Sequence, residues 1–480
     1  MSFISRRRFV RQTLLAAAAL HSHGIKALAQ AQKKASLLDP LAIRKLAATV
    51  GGHVITPDTS EYESARLIFN RAFDLHPALI VRCASAVDVA RALDFAQKQE
   101  LTVAVRGGGH SRAGFSICDN GMVIDISGMK RIEVDARHRV ARAQAGSLVD
   151  NMDAATSPFS LATPSGGCPN VGMAGFTLGG GEGLLMSMHG AGCDNLLSAT
   201  IVLPDGRQVE ASRDSHPDLF WAIRGGGGNF GVATDFEYRL HPVDKVLAGA
   251  LIYEPGQISE LLHAFVTFCT SAPDEMVLLG ELLRAEQGPR FINHVCYFGG
   301  RQMGDDLLKT VRAPHRPESD TVREMSYFEA QAEGFRPKPF AHFQSNLFLP
   351  KLGQAAIEAI TQAANHAPTQ FRILLVAFSG AITRVPVTET AFALRQPGLE
   401  VDMLAGWSNP AEKPEAVLWV KSLRNSLKPF ARGVYVNQLG ETSEELVRAA
   451  YGENYTRLAQ LKQKYDPHNL LRLNQNIKGV

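Results

Sequence analysis

Four glycine-rich clusters between residues 106 and 231 constrain this chain more than any other feature of its sequence. They are Arg106-Gly107-Gly108-Gly109-His110-Ser111, Gly166-Gly167-Cys168, Gly179-Gly180-Gly181-Glu182-Gly183 and Arg224-Gly225-Gly226-Gly227-Gly228-Asn229-Phe230-Gly231. Glycine permits positive φ and brings backbone N–H groups close to a ligand, and successive exposed N–H groups form concavities that bind phosphate. So many clusters exceed what turns alone require. They favour a phosphate-bearing cofactor over purely structural turns.

The last cluster contains Gly226-x-Gly228-x-x-Gly231, the dinucleotide fingerprint as a string. That fingerprint has physical meaning only when it follows a strand and opens a helix. Here residues 216–223 are predicted to be helical and residues 232–240 alternate as a strand does, so the order is reversed and a Rossmann site is rejected. The sequence also lacks the GxxxxGK[ST], HExxH and GxSxG strings that mark phosphoryl transfer, zinc proteolysis and α/β-hydrolases.

Length and charge exclude further classes. A chain of 480 residues suits two or three domains, and 45% hydrophobic residues allow a sizeable core. Residues 1–29 hold five basic groups and no acid, which leaves 45 Lys and Arg against 47 Asp and Glu in the remainder. General electrostatic affinity for nucleic acid is therefore not expected. Six cysteines without a CxxC motif predict neither a disulfide scaffold nor a metal site, and we expect reduced or buried thiols.

The first 29 residues are typical of an export signal. Arg6, Arg7 and Arg8 precede Phe9 and a short apolar run at 13–20, and Ala27-Leu28-Ala29 offers a signal-peptidase site. The run is too short to span a bilayer. The pattern looks like a twin-arginine signal, which exports folded proteins. It predicts a periplasmic or secreted protein that uses the twin-arginine machinery and has no stable membrane anchor afterwards; a basic disordered tail is the alternative.

Hydrophobic patterning predicts an α+β chain. A strand at 78–83, a helix capped by Ser85 and a strand at 101–105 form a β-α-β unit that opens the folded part, and 201–209 is a hairpin turning at Asp205-Gly206. Between 241 and 430 the glycine clusters vanish, and strands such as 291–298 and 371–378 alternate with helices such as 354–365. This predicts a separate α+β domain. The polar Asn474-Gln475-Asn476 predicts a terminus tucked against hydrogen-bonding partners.

Two nucleophiles stand inside the glycine clusters, His110 and Cys168. A lone histidine or cysteine is more often a packed core residue. Glycines that expose backbone flank both residues, however, and an imidazole nitrogen and a thiolate can each bond an electrophilic carbon of a flavin ring.

These motifs carry a specific resemblance. Residues 76–245 resemble the FAD-binding domain shared by vanillyl-alcohol oxidase and p-cresol methylhydroxylase, and with Tyr435-Val436-Asn437 and Asn474-Gln475-Asn476-Ile477 the chain is similar to the berberine bridge enzyme-like FAD-linked oxidoreductases. The resemblance implies a two-part FAD-binding domain of the p-cresol methylhydroxylase type (46–240 and 431–480). It also implies a substrate-binding domain (241–430) with an antiparallel sheet covered by helices.

The resemblance further implies FAD bound bicovalently, through His110 to the 8α-methyl group and through Cys168 to C6 of the flavin. The cofactor-binding residues that it implies are Arg106, Gly107, Gly108, Gly109, His110, Ser111, Gly167, Cys168, Val171, Gly172, Gly175, Gly179, Gly180, Gly181, Gly183, Gly228, Gly231, Val232, Asn474 and Gln475.

Two positions depart from the family pattern: Asn170 stands where Thr is common, and Gln438 stands where many members carry a tyrosine base. An amide is no base near neutral pH. The candidate catalytic residues are therefore Tyr435, Gln438, Tyr297 and Tyr327, although each tyrosine alone is more often an ordinary half-buried aromatic.

The expected function is an oxidase that passes hydride from a small organic substrate (a sugar, an alcohol or a phenolic or alkaloid-like compound) to FAD, which O₂ reoxidises to give H₂O₂. Two alternatives stay open. One is a dehydrogenase with another electron acceptor, and the other is a flavin- or ligand-binding protein without turnover, which Gln438 suggests.

Overall fold

The computed structural model describes residues 38–313, 315–334 and 336–480. The predicted export signal at 1–29 lies outside these residues. Within them, no helix is both long and apolar enough to cross a membrane.

The first part of the chain forms a four-stranded sheet in the order β1-β2-β4-β3, in which β2 and β3 both run parallel to β4. Ser85 accepts a hydrogen bond from the backbone N–H of Asp88 (3.3 Å), which confirms the predicted cap. The β-α-β unit does not open the folded part, because two helices and a strand precede it. The elements are α1 Pro40–Thr49, β1 His53–Ile55, α2 Tyr62–Ala65, β2 Leu79–Arg82, α3 Ala86–Lys98, β3 Val103–Arg106 and β4 Met122–Asp125.

A second, antiparallel sheet follows in the order β5-β6-β10-β8-β9. The hairpin β8–β9 turns through Gly206, whose φ of +84° requires glycine, so the predicted turn is confirmed. The elements are β5 Ile132–Asp135, β6 Val140–Gln144, α4 Val149–Thr156, β7 Leu161–Ala162, α5 Met173–Leu178, α6 Met186–His189, β8 Leu196–Val202, β9 Gln208–Ser212, α7 Pro217–Ile223, β10 Val232–Arg239 and β11 His241–Pro242. The helix before the fourth glycine cluster and the strand after it match the reversed order predicted from the sequence.

A third sheet, in the order β15-β12-β14-β13-β18-β19-β17 with β16 also on β12, is antiparallel throughout. Helices α8, α11 and α13 pack on it. The elements are β12 Lys245–Ile252, α8 Ile258–Cys269, β13 Met276–Ala285, β14 Gly288–Tyr297, α9 Arg301–Arg312, β15 Ser319–Asp320, β16 Arg323–Ser326, α10 Tyr327–Ala332, β17 Ala341–Leu349, α11 Gln354–Asn365, β18 Gln370–Phe378, α12 Ala381–Arg384, β19 Gly398–Trp407 and α13 Lys413–Leu427. The mixed architecture confirms the predicted fold class.

The last helices, α14 Glu444–Tyr451 and α15 Tyr455–Tyr465, return to the beginning of the chain. Leu458, Leu471 and Ile477 are buried in the same core as α3 and the first two sheets. Residues 247–427 build most of a separate core beneath the helices of the third sheet. Short 3₁₀ turns lie at Ser157–Phe159, Gly192–Asn195, Gly227–Asn229, Pro410–Glu412, Lys428–Phe430, Val436–Gln438 and Gly452–Asn454.

Candidate active site

A cavity of about 700 Å³ lies between the glycine clusters and the third sheet. Glycine backbone from all four clusters forms one side, and strands β12, β13, β14 and β18 contribute the other. The volume falls within the range of cofactor and ligand pockets, ~300–1,000 Å³. Residues on the two sides include Gly107, Gly108, Gly109, His110, Ser111, Arg112, Gly167, Cys168, Glu182, Gly228, Glu281, His294, Arg372, Tyr435, Gln438, Asn474 and Gln475.

The first glycine cluster begins where parallel strand β3 ends, the edge at which open α/β sheets bind ligands. Arg106, the last residue of β3, donates to Asp125 on β4 (2.7 Å), and both side chains are buried. Burial pushes the pKa of Asp125 up, but the Arg106 guanidinium brings it below its ordinary value. This ion pair fixes the start of the loop.

The first glycine cluster touches Gly172, in the loop that follows Cys168, through backbone. A Cβ built on Gly108 would lie 2.4 Å from the nitrogen of Gly172, and one built on Gly172 would lie 2.5 Å from the nitrogen of Gly108. Neither position accepts a side chain. The contact brings the loop of His110 next to the loop of Cys168.

His110 lines the cavity and stacks on Phe69, with ring centroids 4.1 Å apart and an interplanar angle of 22°. Burial, reinforced by the Arg112 cation, lowers the pKa of His110 to about 3, so the imidazole is neutral at neutral pH. Its buried Nδ1 has no hydrogen-bond partner in the described part of the chain.

Asn170 contacts both nucleophiles. The Cys168 thiol donates to Asn170 Oδ1 (3.0 Å), and the Asn170 side chain lies near enough to His110 to oppose part of the fall in its pKa. Burial raises the pKa of Cys168, and the Arg112 cation opposes this rise. Asn170, which departs from the family pattern, therefore links the two predicted attachment residues.

Gln438 is held in a chain of polar side chains beneath the third sheet. Its Oε1 accepts from Arg112 Nε (3.3 Å) and from Gln344 Nε2 (2.7 Å), and Gln344 Nε2 also donates to Asp402 Oδ1 (2.8 Å). Arg372 donates to the other oxygen of Asp402 (3.4 Å). Gln438 thus contributes an acceptor that orients Arg112.

A second polar pair lies on neighbouring strands of that sheet. His294 Nε2 on β14 and Glu281 Oε2 on β13 are 2.8 Å apart, and both residues line the cavity. Burial pushes the pKa of Glu281 up, but His294 brings it below its ordinary value. The third sheet therefore presents charged groups to the space above the glycines.

The Tyr435 hydroxyl accepts hydrogen bonds from the backbone N–H of Gly181 (3.0 Å) and from Asn437 Nδ2 (2.9 Å). Burial, together with the nearby Glu182, raises the pKa of Tyr435 well above its ordinary value. The phenol is therefore protonated at neutral pH, and the structure does not favour it as the proton acceptor.

The C-terminal segment is tucked against hydrogen-bonding partners, as predicted, and the partner is the fourth glycine cluster. Asn229 Nδ2 donates to the carbonyls of Gly226 (2.8 Å) and Gln475 (3.3 Å), and Asn229 Oδ1 accepts from the backbone N–H of Ile477 (3.0 Å). The side-chain carbonyls of Asn474, Gln475 and Asn476 are buried and accept no hydrogen bond from any described residue. Those of Asn474 and Gln475 belong to residues that line the cavity.

Most of the predicted site residues meet at this cavity. They are Gly107, Gly108, Gly109, His110, Ser111, Gly167, Cys168, Val171, Gly172, Gly175, Gly183, Gly228, Gly231, Val232, Asn474, Gln475, Tyr435 and Gln438. Gly179, Gly180 and Gly181 lie beside it instead, where a Cβ would meet Asn437, Phe392 and Phe176 respectively, so they permit close packing. Arg106 also lies outside the cavity, and its ion pair with Asp125 fixes the start of the first glycine loop.

Tyr297 and Tyr327 lie outside the cavity, which argues against the catalytic role predicted for them. The Tyr297 ring packs against Gly299 and Gly304, and burial raises its pKa. Tyr327 is buried against Phe298 and Phe328, and burial raises its pKa well above the ordinary value. Each is a core aromatic.

Sequence reasoning missed the charged residues of the site. Glu182 stands inside a glycine cluster, a signal that was visible. No sequence signal marked the other charged residues, because they come together only through the pairing of strands that are far apart in the chain. They are Arg112, Glu281, His294, Arg372, Glu400 and Asp402. No group of three His, Cys, Asp or Glu with the geometry of a metal site occurs in 38–313, 315–334 or 336–480.

These residues fit an FAD. A Cβ on Gly167, Gly175 or Gly228 would meet nothing within 4 Å, so these cavity-lining positions leave room for a ligand against bare backbone. The orphaned acceptors of Asn474 and Gln475 suit the N–H and hydroxyl donors of a flavin and its ribityl chain. The unpartnered Nδ1 of His110 and the thiol of Cys168 are suitable attachment atoms.

Comparison with known proteins agrees with this geometry. The family model "FAD binding domain" matches residues 77–212, and the model "Berberine and berberine like" matches residues 434–478. The chain is 32% identical over 440 residues to the FAD-linked oxidoreductase YgaK of Bacillus subtilis, covering 89% of this chain and 96% of that one. It is 31% identical over 450 residues to (R)-6-hydroxynicotine oxidase of Paenarthrobacter nicotinovorans, covering 89% and 97% respectively. The crystal structure of 6-hydroxy-D-nicotine oxidase from Arthrobacter nicotinovorans superimposes with a TM-score of 0.83 at 28% identity, covering 90% of this chain and 98% of that one.

Proposed function

The chain belongs to the berberine bridge enzyme-like family of FAD-linked oxidoreductases, and from this premise we propose that it is an oxidase of a small organic substrate. One observation carries the proposal: a single cavity has glycine backbone on one side and titratable side chains of the third sheet on the other. The first side suits a cofactor, and the second suits a substrate above it.

Bound FAD supplies a two-electron acceptor, which takes hydride from a substrate C–H bond and passes the electrons to O₂ to give H₂O₂. The glycine clusters would hold the cofactor through backbone N–H groups, and Asn474 and Gln475 would accept its hydrogen bonds. Arg112, oriented by Gln438, would place a fixed positive charge in the same cavity.

We propose bicovalent attachment of the flavin through His110 and Cys168. Three observations support it: both residues line the cavity, both contact Asn170, and His110 is neutral with a free ring nitrogen. A neutral imidazole is a nucleophile, whereas an imidazolium is not.

The substrate class is proposed as a sugar, an alcohol or a phenolic or alkaloid-like compound. The similarity to (R)-6-hydroxynicotine oxidase favours the alkaloid-like class. Glu281, His294 and Arg372, which line the cavity from the third sheet, would bind polar groups of the substrate.

We further propose export to the periplasm by the twin-arginine route, which rests on the leader sequence alone. Replacing Arg6 and Arg7 together by Lys should keep the protein in the cytoplasm with an unprocessed leader. Cell fractionation and mass spectrometry of the intact chain test this, and periplasmic protein from the variant would contradict it.

Anaerobic mixing of the purified holoenzyme with D-glucose, benzyl alcohol and 6-hydroxynicotine tests the oxidase proposal. At least one class should bleach the flavin absorption, and admitting air should restore it with release of H₂O₂. Recovery no faster in air than under argon would favour a dehydrogenase with another acceptor. A flavin that no compound bleaches would favour the binding protein without turnover.

A further inference from the structure

We propose that Glu182 and Glu400 form a carboxyl pair that shares one proton, and that Glu182 accepts the proton of the substrate group being oxidised. The inference rests on the proposed function and names the proton acceptor that Gln438 does not provide.

Glu182 is held in place by its own loop. It lies between Gly181, whose φ is +96°, and Gly183, where a Cβ would come within 1.8 Å of the carbonyl oxygen of Ser165. Only glycine fits at these two neighbours, which lets the loop pack closely on both sides of Glu182. Its side chain lines the cavity.

Glu400 contacts Glu182 from the third sheet. It lies on β19 with 1% of its surface exposed, and the two carboxyl groups are within hydrogen-bond reach of each other. No donor from the described residues reaches Glu182 Oε1 or either oxygen of Glu400. Two carboxylates in contact without donors repel each other strongly, and a single proton between them removes the repulsion.

The charges around the Glu182–Glu400 pair change the repulsion between the two carboxylates. Asp402 follows two residues later on β19 and contributes negative charge to both glutamates, while Arg372 on β18 opposes it at Glu400. Tyr435 is a further titratable neighbour of the pair and is itself protonated. Burial raises the pKa of Glu182 to about 7, an effect that the Glu400 carboxyl opposes and that Asp402 reinforces. Burial first, and then the Glu182 carboxyl and Asp402, raise the pKa of Glu400 well above its ordinary value.

The other carboxyl and amide groups nearby suit the role less well. Both oxygens of Asp402 already accept hydrogen bonds, from Gln344 and Arg372, and Asp402 does not line the cavity. Gln438 is an amide without basic character. Glu182 therefore combines access to the substrate with a pKa near the working pH, which is what an efficient base requires.

The O–H or N–H bond of the substrate breaks, and its proton goes to the free oxygen of Glu182. The adjacent C–H bond breaks, hydride goes to the bound FAD, and a C=O or C=N bond forms. The pair then holds two protons and returns one to solvent after the product leaves.

Infrared difference spectra of the purified holoenzyme during a pH titration test the pair without any substrate. The wild type should show a protonated carboxyl band that titrates near neutral pH, and both Glu182→Gln and Glu400→Gln should remove it. Glu358→Gln, on the exposed face of α11, is the matched control and should keep it. A wild type without a carboxyl band titrating in this range would overturn the pair.

The rate of flavin reduction tests whether Glu182 accepts the proton. The substrate is whichever of D-glucose, benzyl alcohol and 6-hydroxynicotine bleaches the flavin of the wild type. Glu182→Gln should slow reduction by about 100-fold or more and abolish the acidic limb of its pH profile. Asp402→Asn should keep that limb but move it to lower pH, because Asp402 adds negative charge near both glutamates. An unchanged pH profile in Glu182→Gln, or loss of the limb only in Asp402→Asn, would overturn the role of Glu182. If no compound reduces the flavin of the wild type, both the proposed function and the role of Glu182 as proton acceptor are wrong. The infrared titration tests the Glu182–Glu400 pair independently of that outcome.

Discussion

Gly108 and Gly172 lie in backbone contact, so that a Cβ on either residue would come within 2.5 Å of the other's nitrogen. The loop that carries His110 and the loop that carries Cys168 therefore hold each other in place. Because both glycines also line the cavity, the packing of the fold and the shape of the cofactor site depend on the same contact.

Gly108→Ala or Gly172→Ala should lower the free energy of unfolding by about 2–3 kcal/mol. The added Cβ would clash with backbone atoms, which cannot move aside as a flexible side chain can. Each variant should also bind less flavin. Gly128→Ala is the control, since a Cβ there meets nothing within 4 Å. Denaturant unfolding and the flavin-to-protein absorbance ratio provide the measurement, and wild-type stability in both variants would show that the contact is unimportant.

The flavin of the wild type should stay with the polypeptide after acid precipitation if His110 and Cys168 both attach to it. His110→Ala should leave attachment through Cys168 alone, Cys168→Ala should leave attachment through His110 alone, and the double variant should release FAD into the supernatant. His366→Ala and Cys269→Ala, which lie outside the cavity, are the matched controls.

Mass spectrometry of the intact chain is the second measurement for this attachment. The wild type should carry the added mass of FAD. Wild-type protein that leaves all its flavin in the supernatant and shows only the mass of its amino acids would contradict covalent attachment.

Local patterns predicted the local structure of this chain well. The periodicity from Gln354 to Asn365 predicted a helix with the bounds that the structure shows. The glycine clusters predicted one site with His110 and Cys168 together, because composition and motif are properties of short segments.

The charged groups of the site were not predictable in the same way. The hydrogen bond between Arg112 and Gln438 joins residues 326 positions apart, and Glu182 meets Glu400 only because β19 pairs with β17 and β18 across the third sheet. Strand alternation places Glu400 and Asp402 on one face but does not show what faces them. The contacts depend on tertiary register, which no single segment encodes.

His189 and His241 stack with ring centroids 3.7 Å apart. Burial, and then the neighbouring His189, lowers the pKa of His241 to about 4. The pKa of a histidine in the unfolded chain is near 6.5. Between pH 6.5 and 4, His241 therefore binds more protons in the unfolded state than in the folded state. The stability contributed by neutral His241 should therefore be lost as the pH falls through this window.

The corresponding measurement is the free energy of unfolding between pH 7 and 4 for the wild type and His241→Gln. The variant should lose about 1 kcal/mol less than the wild type over this range, a value reduced for partial solvent screening. His366→Gln at the exposed end of α11 should follow the wild type. Parallel curves for wild type and His241→Gln would sink the idea that this stack responds to pH.

Lys462 and Asp466 form a fully buried ion pair at the C-terminal end of α15, 2.6 Å apart with side chains 1% exposed. The Lys462 ammonium also donates to the carbonyls of Asn229 (2.9 Å) and Leu471 (3.0 Å), and Asp466 accepts from the backbone N–H groups of Leu470 and Leu471. The pair therefore fastens the C-terminal segment to the fourth glycine cluster.

Lys462→Met should lower the free energy of unfolding by about 3–5 kcal/mol, because it leaves Asp466 charged, buried and without its partner. Adding Asp466→Leu should recover part of this loss, although the backbone N–H groups of Leu470 and Leu471 then lose their acceptor. Lys464→Met, which breaks an exposed pair with Asp218, is the control and should cost less than about 1 kcal/mol. Urea unfolding of the four proteins gives the comparison, and equal losses for the Lys462 and Lys464 variants would mean that the buried pair does not hold the terminus.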